Sequence, residues 1–183
     1  MMDSIPNFTP RAQEAIKKSR EIAIKYKVKV IKLEHLLLGL VSQGRGLLRE
    51  SFNLSGYDID GFRAFVETWL KTGRAQKGNP QFAAEVKTIL ELAHKCASDL
   101  RQPYVGTEHI LLAIIKFNSP SIKEIFSKSN VNPKSLIAAL RSQLLEGSYL
   151  PEIEQLPSLP SPDDQPEPSR SSALKAFSIN YIE

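Results

Sequence analysis

Cysteine is almost missing from this chain. Cys96 is the only one in 183 residues, which excludes an internal disulfide and any cysteine-rich zinc site. A reducing, cytoplasmic compartment is the expectation that follows. Long apolar runs are missing as well, and none approaches the roughly 20 residues of a membrane span. The opening stretch, MMDSIPNFTP, has no basic segment leading into an apolar core, so no secretory signal is visible. Aromatic residues make up only 8%, and no aromatic stacking motif of the kind nucleic-acid binding uses is interleaved with the lysines.

The remaining composition, 42% hydrophobic and 24% charged, is that of an ordinary soluble domain. Charge is unevenly spread. Residues 1–145 carry 22 Lys/Arg against 13 Asp/Glu, a net of +9, and residues 146–183 carry 2 against 7, a net of −5. A basic body attracts anionic partners in general. Here the lysines (Lys17, Lys18, Lys25, Lys27, Lys29, Lys32) are scattered along a helical pattern, which reads as a solvated face and not as a nucleic-acid patch.

Helical periodicity runs from residue 8 to residue 145. Ala12, Ala15, Ile16, Ser19, Ile22 and Ala23 form one stripe at the spacing of an amphipathic helix. Thr9-Pro10 is a start signal, a capping hydroxyl followed by proline at the first helical position. Asp58 and Asn132 are candidate caps of later helices. Few windows alternate with period 2, so essentially no sheet is expected. From Gly147 the prolines Pro151, Pro157, Pro160, Pro162, Pro166 and Pro168 predict an extended, flexible linker over 146–172. Residues 173–183 regain Leu174, Phe177 and Tyr181 at helical spacing, as the start of a following module or a short terminal helix.

Residues 82–140 slide onto 8–66 with a constant shift of 74 and no gap. Phe8 falls on Phe82, Glu34 on Glu108, His35 on His109, Phe52 on Phe126 and Ala64 on Ala138. Self-similarity at a fixed shift marks a duplicated structural unit. Each copy, 8–74 and 80–145, reads as one long helix, two short ones and a closing fourth. The predicted fold is therefore all-α: two four-helix repeats packed with pseudo-twofold symmetry over 6–145, with a flexible proline-rich tail.

The repeated Glu-His pair (LEHLLLGL, TEHILLAI) is not a metal motif. Adjacent residues on a helix point about 100° apart and cannot grip one ion together. The third histidine, His94, meets Arg20 in the alignment. No serine or cysteine sits in a nucleophile signature. The run GRAQKG over 73–78 is followed by Asn79-Pro80 and not by Lys-Ser/Thr, so it reads as an inter-repeat linker and not as a phosphate loop. No metal and no cofactor are expected for this chain. His35 and His109 read as structural, able to cap a loop through the ring. Glu34 and Glu108 read either as first-turn carboxylates favoured by the helix dipole or as acceptors for a guanidinium.

The segments FTPRAQEAI, LEHLLLGL and VGTEHILLAI resemble the duplicated N-terminal domain of Clp-type ATP-dependent unfoldases of the ClpC and ClpA kind. The likeness spans both repeats, about 6–145, and none of the ATPase modules. It implies a binding module and not an enzyme, one that captures adaptor proteins and protein substrates for an ATPase ring and a partner protease. An alternative is a free-standing Clp-repeat accessory protein that binds such a protease or unfoldase. A reading frame continuing from Glu183 into an ATPase selects the first, and a stop codon selects the second. The resemblance further implies a monomeric isolated domain, a hexameric parent, and ATP and magnesium only in the absent modules. Nucleic acid and membrane are not implied as partners. By the same resemblance, each repeat carries a phosphoarginine pocket, built from Thr9 with Glu34 in the first and around Glu108 in the second. Ala83 stands where Thr9 does and Leu33 where Thr107 does. Because Ala83 lacks the hydroxyl of Thr9, the pocket at Glu34 is expected to be the stronger, while Leu33, lacking the helix cap that Thr107 is taken to supply, pulls the other way.

Overall fold

The computed structural model describes residues 7–71 and 78–146. The first helix, α1 (Pro10–Lys25), begins where the sequence signal places it, with the Thr9 hydroxyl accepting from the Ala12 N–H at 3.2 Å. Its buried stripe is Ala12, Ala15, Ile16, Ser19, Ile22 and Ala23. It is followed by β1 (Val30–Ile31), α2 (Leu33–Gln43), α3 (Gly46–Leu54) and α4 (Ile59–Lys71). The second copy runs β2 (Gln81–Phe82), α5 (Ala84–Asp99), α6 (Thr107–Phe117), α7 (Pro120–Lys128) and α8 (Pro133–Glu146). Each helix of the second copy starts 74 residues after its counterpart.

The turns are duplicated with the helices. Left-handed backbone recurs at Lys27 and Arg101 (φ 55° and 54°), Gly44 and Asn118 (51° and 57°), and Gly56 and Asn130 (77° and 57°). Helices commonly end this way, because a left-handed residue lets the following N–H groups reach the last orphan carbonyls. Asp58 accepts from the N–H groups of Asp60 and Gly61 at 3.1 and 3.0 Å, and Asn132 from that of Lys134 at 2.9 Å. Both therefore act as caps at helix starts.

The two copies interlock at their entrances. Ile31 pairs with Phe82 in a short parallel ladder, and Phe8 pairs with Val105. These pairs are related by the shift of 74 with the partners exchanged, so each copy's leading segment docks on the other copy. Thr9 N–H donates to Val105 O at 2.9 Å and Ala83 N–H to Ile31 O at 3.0 Å. The same exchange explains the unmatched histidine: the His94 ring meets Phe8 edge-on at 4.8 Å between centroids, while Arg20 lies 5.2 Å over Phe82. Both side chains cover the other copy's leading phenylalanine. Deeper in, Phe62 sits between Phe52 and Phe126, with centroids 5.4 and 5.3 Å away. On a second seam, Ser55 Oγ donates to Ser135 O at 3.2 Å, and the Asn132 N–H to the Tyr57 hydroxyl at 3.1 Å. One apolar core thus draws on both copies.

α1 and α2 approach closely at Gly39, where a Cβ would lie 2.5 Å from Ala15 O and 3.1 Å from Ser19 N. The equivalent position in α6 is Ala113, which is fully buried. Gly39→Ala is therefore expected to destabilise by about 1–3 kcal/mol through overpacking, despite the ~1 kcal/mol that alanine gains over glycine in a helix. Thermal melting checks this, and a Tm at or above that of the wild type would show that Gly39 does not set the α1–α2 spacing.

The residues read as the inter-repeat linker fall largely on 72–77, and the proline-rich linker and terminal segment on 147–183. Both lie outside the described residues.

Candidate functional site

The starts of α2 and α6 are built alike around a histidine. His35 Nδ1 accepts the Lys32 N–H at 3.0 Å, and His109 Nδ1 accepts the Gly106 N–H at 2.9 Å. Each imidazole reaches back from the third helical position to its own N-cap, the part that Glu or Gln plays in a capping box. The ring therefore caps its own helix, where the sequence reading placed it against a neighbouring loop. A nitrogen that accepts this bond carries no proton, so both rings are neutral with hydrogen on Nε2. Burial pushes His109 down to about 4. Burial also lowers His35, opposed by the charge of Glu34. Glu108 Oε1 lies 3.5 Å from His109 Nδ1, but beside a neutral ring this is proximity and not an ion pair.

The two carboxylates differ. Glu108 is 2% exposed, and the Thr107 hydroxyl donates to its Oε2 at 3.2 Å. Its carboxylate folds back over Gly106 so closely that a Cβ there would overlap it. In the first copy Lys32 occupies the position of Gly106, and its side chain denies Glu34 that path. Glu34 is half-buried and makes no hydrogen bond or ion pair among the described residues. The two equivalent helix starts therefore hold their carboxylates differently, and the difference beside them is Gly106 against Lys32.

The sequence expectation for Thr107 is corrected. It is the first residue inside α6, whose N-cap is Gly106, so its hydroxyl serves the Glu108 carboxylate and not a helix cap. Leu33 at the equivalent place costs α2 no cap, since His35 supplies the capping bond there too.

The exchanged entrances decide which residues meet. Thr9 is held to Val105, three positions before Glu108, and so stands at the start of α6. Ala83 is held to Ile31, three positions before Glu34, at the start of α2. One junction therefore gathers Thr9, Gly106, Thr107 and Glu108, and the other Ala83, Lys32, Leu33 and Glu34. Thr9 and Glu34, paired within one repeat in the sequence reading, belong to different junctions.

The family model of the Clp repeat (R) N-terminal domain matches residues 7–129 and again residues 81–177. The chain belongs to this family. It is 32% identical over 149 residues to the ATP-dependent Clp protease ATP-binding subunit ClpC of Staphylococcus epidermidis, covering 80% of this chain and 17% of that protein. To the chaperone protein ClpB of Oceanobacillus iheyensis it is 34% identical over 109 residues, 60% of this chain and 14% of the relative. The chain thus spans 14–17% of the length of these two relatives. Among solved structures, the Hsp104 N-terminal domain of Candida albicans superposes with a TM-score of 0.67 at 23% identity, over 78% of this chain and 93% of that one. The ClpD N-terminal domain of Arabidopsis thaliana gives 0.64 at 24%, over 80% and 100%. A ClpV N-domain solved as a complex with a VipB peptide gives 0.58 at 20%, over 74% and 88%. These likenesses place the fold.

Within the Clp repeat, the differences between copies that looked scattered along the sequence fall on one side. Both hydroxyls and the permissive glycine lie at the α6 junction, and Ala83, Leu33 and Lys32 all lie at the α2 junction. Exchange of the leading segments was the feature sequence reasoning missed. A shift-invariant alignment is the same whether a segment docks on its own copy or on the other, so only the fold distinguishes them.

Proposed function

We propose that this chain is the receptor module of a Clp-type unfoldase. It takes adaptor proteins and protein substrates and passes them to an ATPase ring for unfolding and to a partner protease for degradation. On this reading residues 8–74 and 80–145 are the two repeats, 146–172 link them to an ATPase module that opens near 173, and the hexameric parent works in the cytoplasm. ATP and magnesium belong to those modules, and this chain contributes binding alone.

A phosphoarginine side chain is received at the α6 junction, where Glu108 meets the guanidinium and the Thr9 hydroxyl meets the phosphoryl group. The observation that supports it is the bond from Thr9 N–H to Val105 O at 2.9 Å, which sets a threonine hydroxyl at the start of the helix carrying Glu108. Phosphoryl oxygens suit a helix start, and a carboxylate–guanidinium pair is a strong charge-assisted contact. Entry requires the Glu108 carboxylate to swing off Gly106.

Calorimetry with a phosphoarginine peptide, beside the same peptide with plain arginine, tests this. Glu108→Gln is expected to weaken binding by about 1.5–3 kcal/mol, tenfold or more, and Glu34→Gln by less than about twofold. This order is the reverse of the one the sequence alone suggests. Loss of binding on Glu34→Gln with Glu108→Gln unaffected would sink the assignment.

A further inference from the structure

The first copy holds a groove whose walls differ in residue type from the equivalent positions of the second copy. α1, α2 and α4 enclose about 310 Å³ above a floor of Ile22 and Leu38, with Lys18, Lys25 and Arg63 along its sides. Seventy-four residues on from Lys18, Tyr26 and Arg63, the second copy carries Leu92, Leu100 and Ile137. Those three are half-buried and packed against the core. The same helical frame is therefore filled with apolar side chains in one copy and left open, with polar walls, in the other. The groove does not follow from the fold.

Its charges are not balanced internally. Glu21 is held by Lys18 at 3.3 Å. Glu67 is held by Lys25 at 3.4 Å and receives the Tyr26 hydroxyl at 3.2 Å. Arg63 makes no hydrogen bond or ion pair among the described residues, so its fork of donors is left for an outside acceptor. Guanidinium groups bind carboxylates through two parallel bonds, and the floor accepts one side chain of leucine size. The volume lies at the small end of ligand pockets. The body around it is basic, with 22 Lys/Arg against 13 Asp/Glu in residues 1–145, which favours an acidic partner over a basic one.

We propose that this groove docks a short acidic peptide segment in which one apolar side chain is flanked by carboxylates. The apolar side chain seats on Ile22 and Leu38, and a carboxylate takes Arg63. The groove lies on the later half of α1, away from Thr9, and the proposal is independent of phosphoarginine recognition.

The test is a titration of the full chain with the pentapeptide Gly-Asp-Leu-Glu-Gly, followed by amide shifts in an isotope-labelled sample. Saturable shifts are expected in α1 and α4. Arg63→Gln should weaken binding tenfold or more. Closing the groove with the second copy's own side chains, as Lys18→Leu with Arg63→Ile, should abolish it. Circular dichroism confirms the fold of each variant, and Arg63→Gln stands as the readout should the double variant misfold. The serine analogue Gly-Asp-Ser-Glu-Gly and the basic analogue Gly-Lys-Leu-Lys-Gly should both bind at least tenfold more weakly. No saturable shift in the wild type, equal binding by Arg63→Gln, or equal binding of the basic peptide would each overturn the proposal.

Discussion

Phe62→Ala is expected to lower stability by about 3–5 kcal/mol and Tm by roughly 10 °C, and to do so in a single transition. Phe62 is 3% exposed, with the rings of Phe52 and Phe126 at 5.4 and 5.3 Å. Phe52 and Phe126 are the same position in the two copies, so the residue between them carries packing for both. Truncation to alanine removes two ring contacts and opens a space at the seam that neither copy can fill alone. Calorimetry of the wild type and the variant reads both parts. A single shifted peak fits one shared core. A fall of only a degree or two, or a peak that splits, would mean that the copies hold separate cores and meet only at their surfaces.

The second large effect is on acid stability. The folded-state value of His109, about 4, lies below the ~6.5 of an unfolded histidine. The unfolded chain therefore takes up this proton first as pH falls. The stabilisation is fully present above about pH 6.5, is lost progressively down to about pH 4, and is gone below that. A displacement of this size corresponds to about 3 kcal/mol, and His35 is lowered in the same direction. Carboxylates titrate within the same window, so the informative comparison is with His109→Gln. Glutamine at the third helical position can accept the same N-cap bond but does not titrate. The wild type should lose more stability than His109→Gln between pH 7 and pH 4.5, by about 2 kcal/mol in denaturant melts. Parallel pH profiles would show that His109 accepts its proton while folded.

Much of this architecture is legible in the residues. The stripe from Ala12 to Ala23, the caps at Thr9, Asp58 and Asn132, and the shift of 74 all appear in the structure as read. These are local features, fixed by backbone dihedrals and by periodicity within a few turns. The structural reading of His35 and His109 matches the geometry for the same reason, since each ring bonds within its own helix. What stayed hidden depends on which copy a segment meets. Nothing near Thr9 says that its backbone pairs with Val105 and not with Ile31, because the two acceptors are equivalent in the repeat. The burial of Glu108 was equally out of reach. It turns on Gly106 against Lys32, two positions before each glutamate, and a helical wheel assigns no weight to a residue outside the helix. Thr107 looked like a cap because threonine favours that place, yet the helix begins one residue earlier than that reading requires.

On the proposed function, the leading segment of the first copy completes the site on the second. A double-mutant cycle in phosphoarginine-peptide binding addresses it directly, with Thr9→Ala combined in turn with Glu108→Gln and with Glu34→Gln. Residues acting on one ligand at one site show coupling of about 0.5–3 kcal/mol, and distant sites add within about 0.5 kcal/mol. Cross-copy assembly predicts coupling of Thr9 to Glu108 and simple additivity with Glu34. Coupling of Thr9 to Glu34, with Glu108 additive, would contradict it.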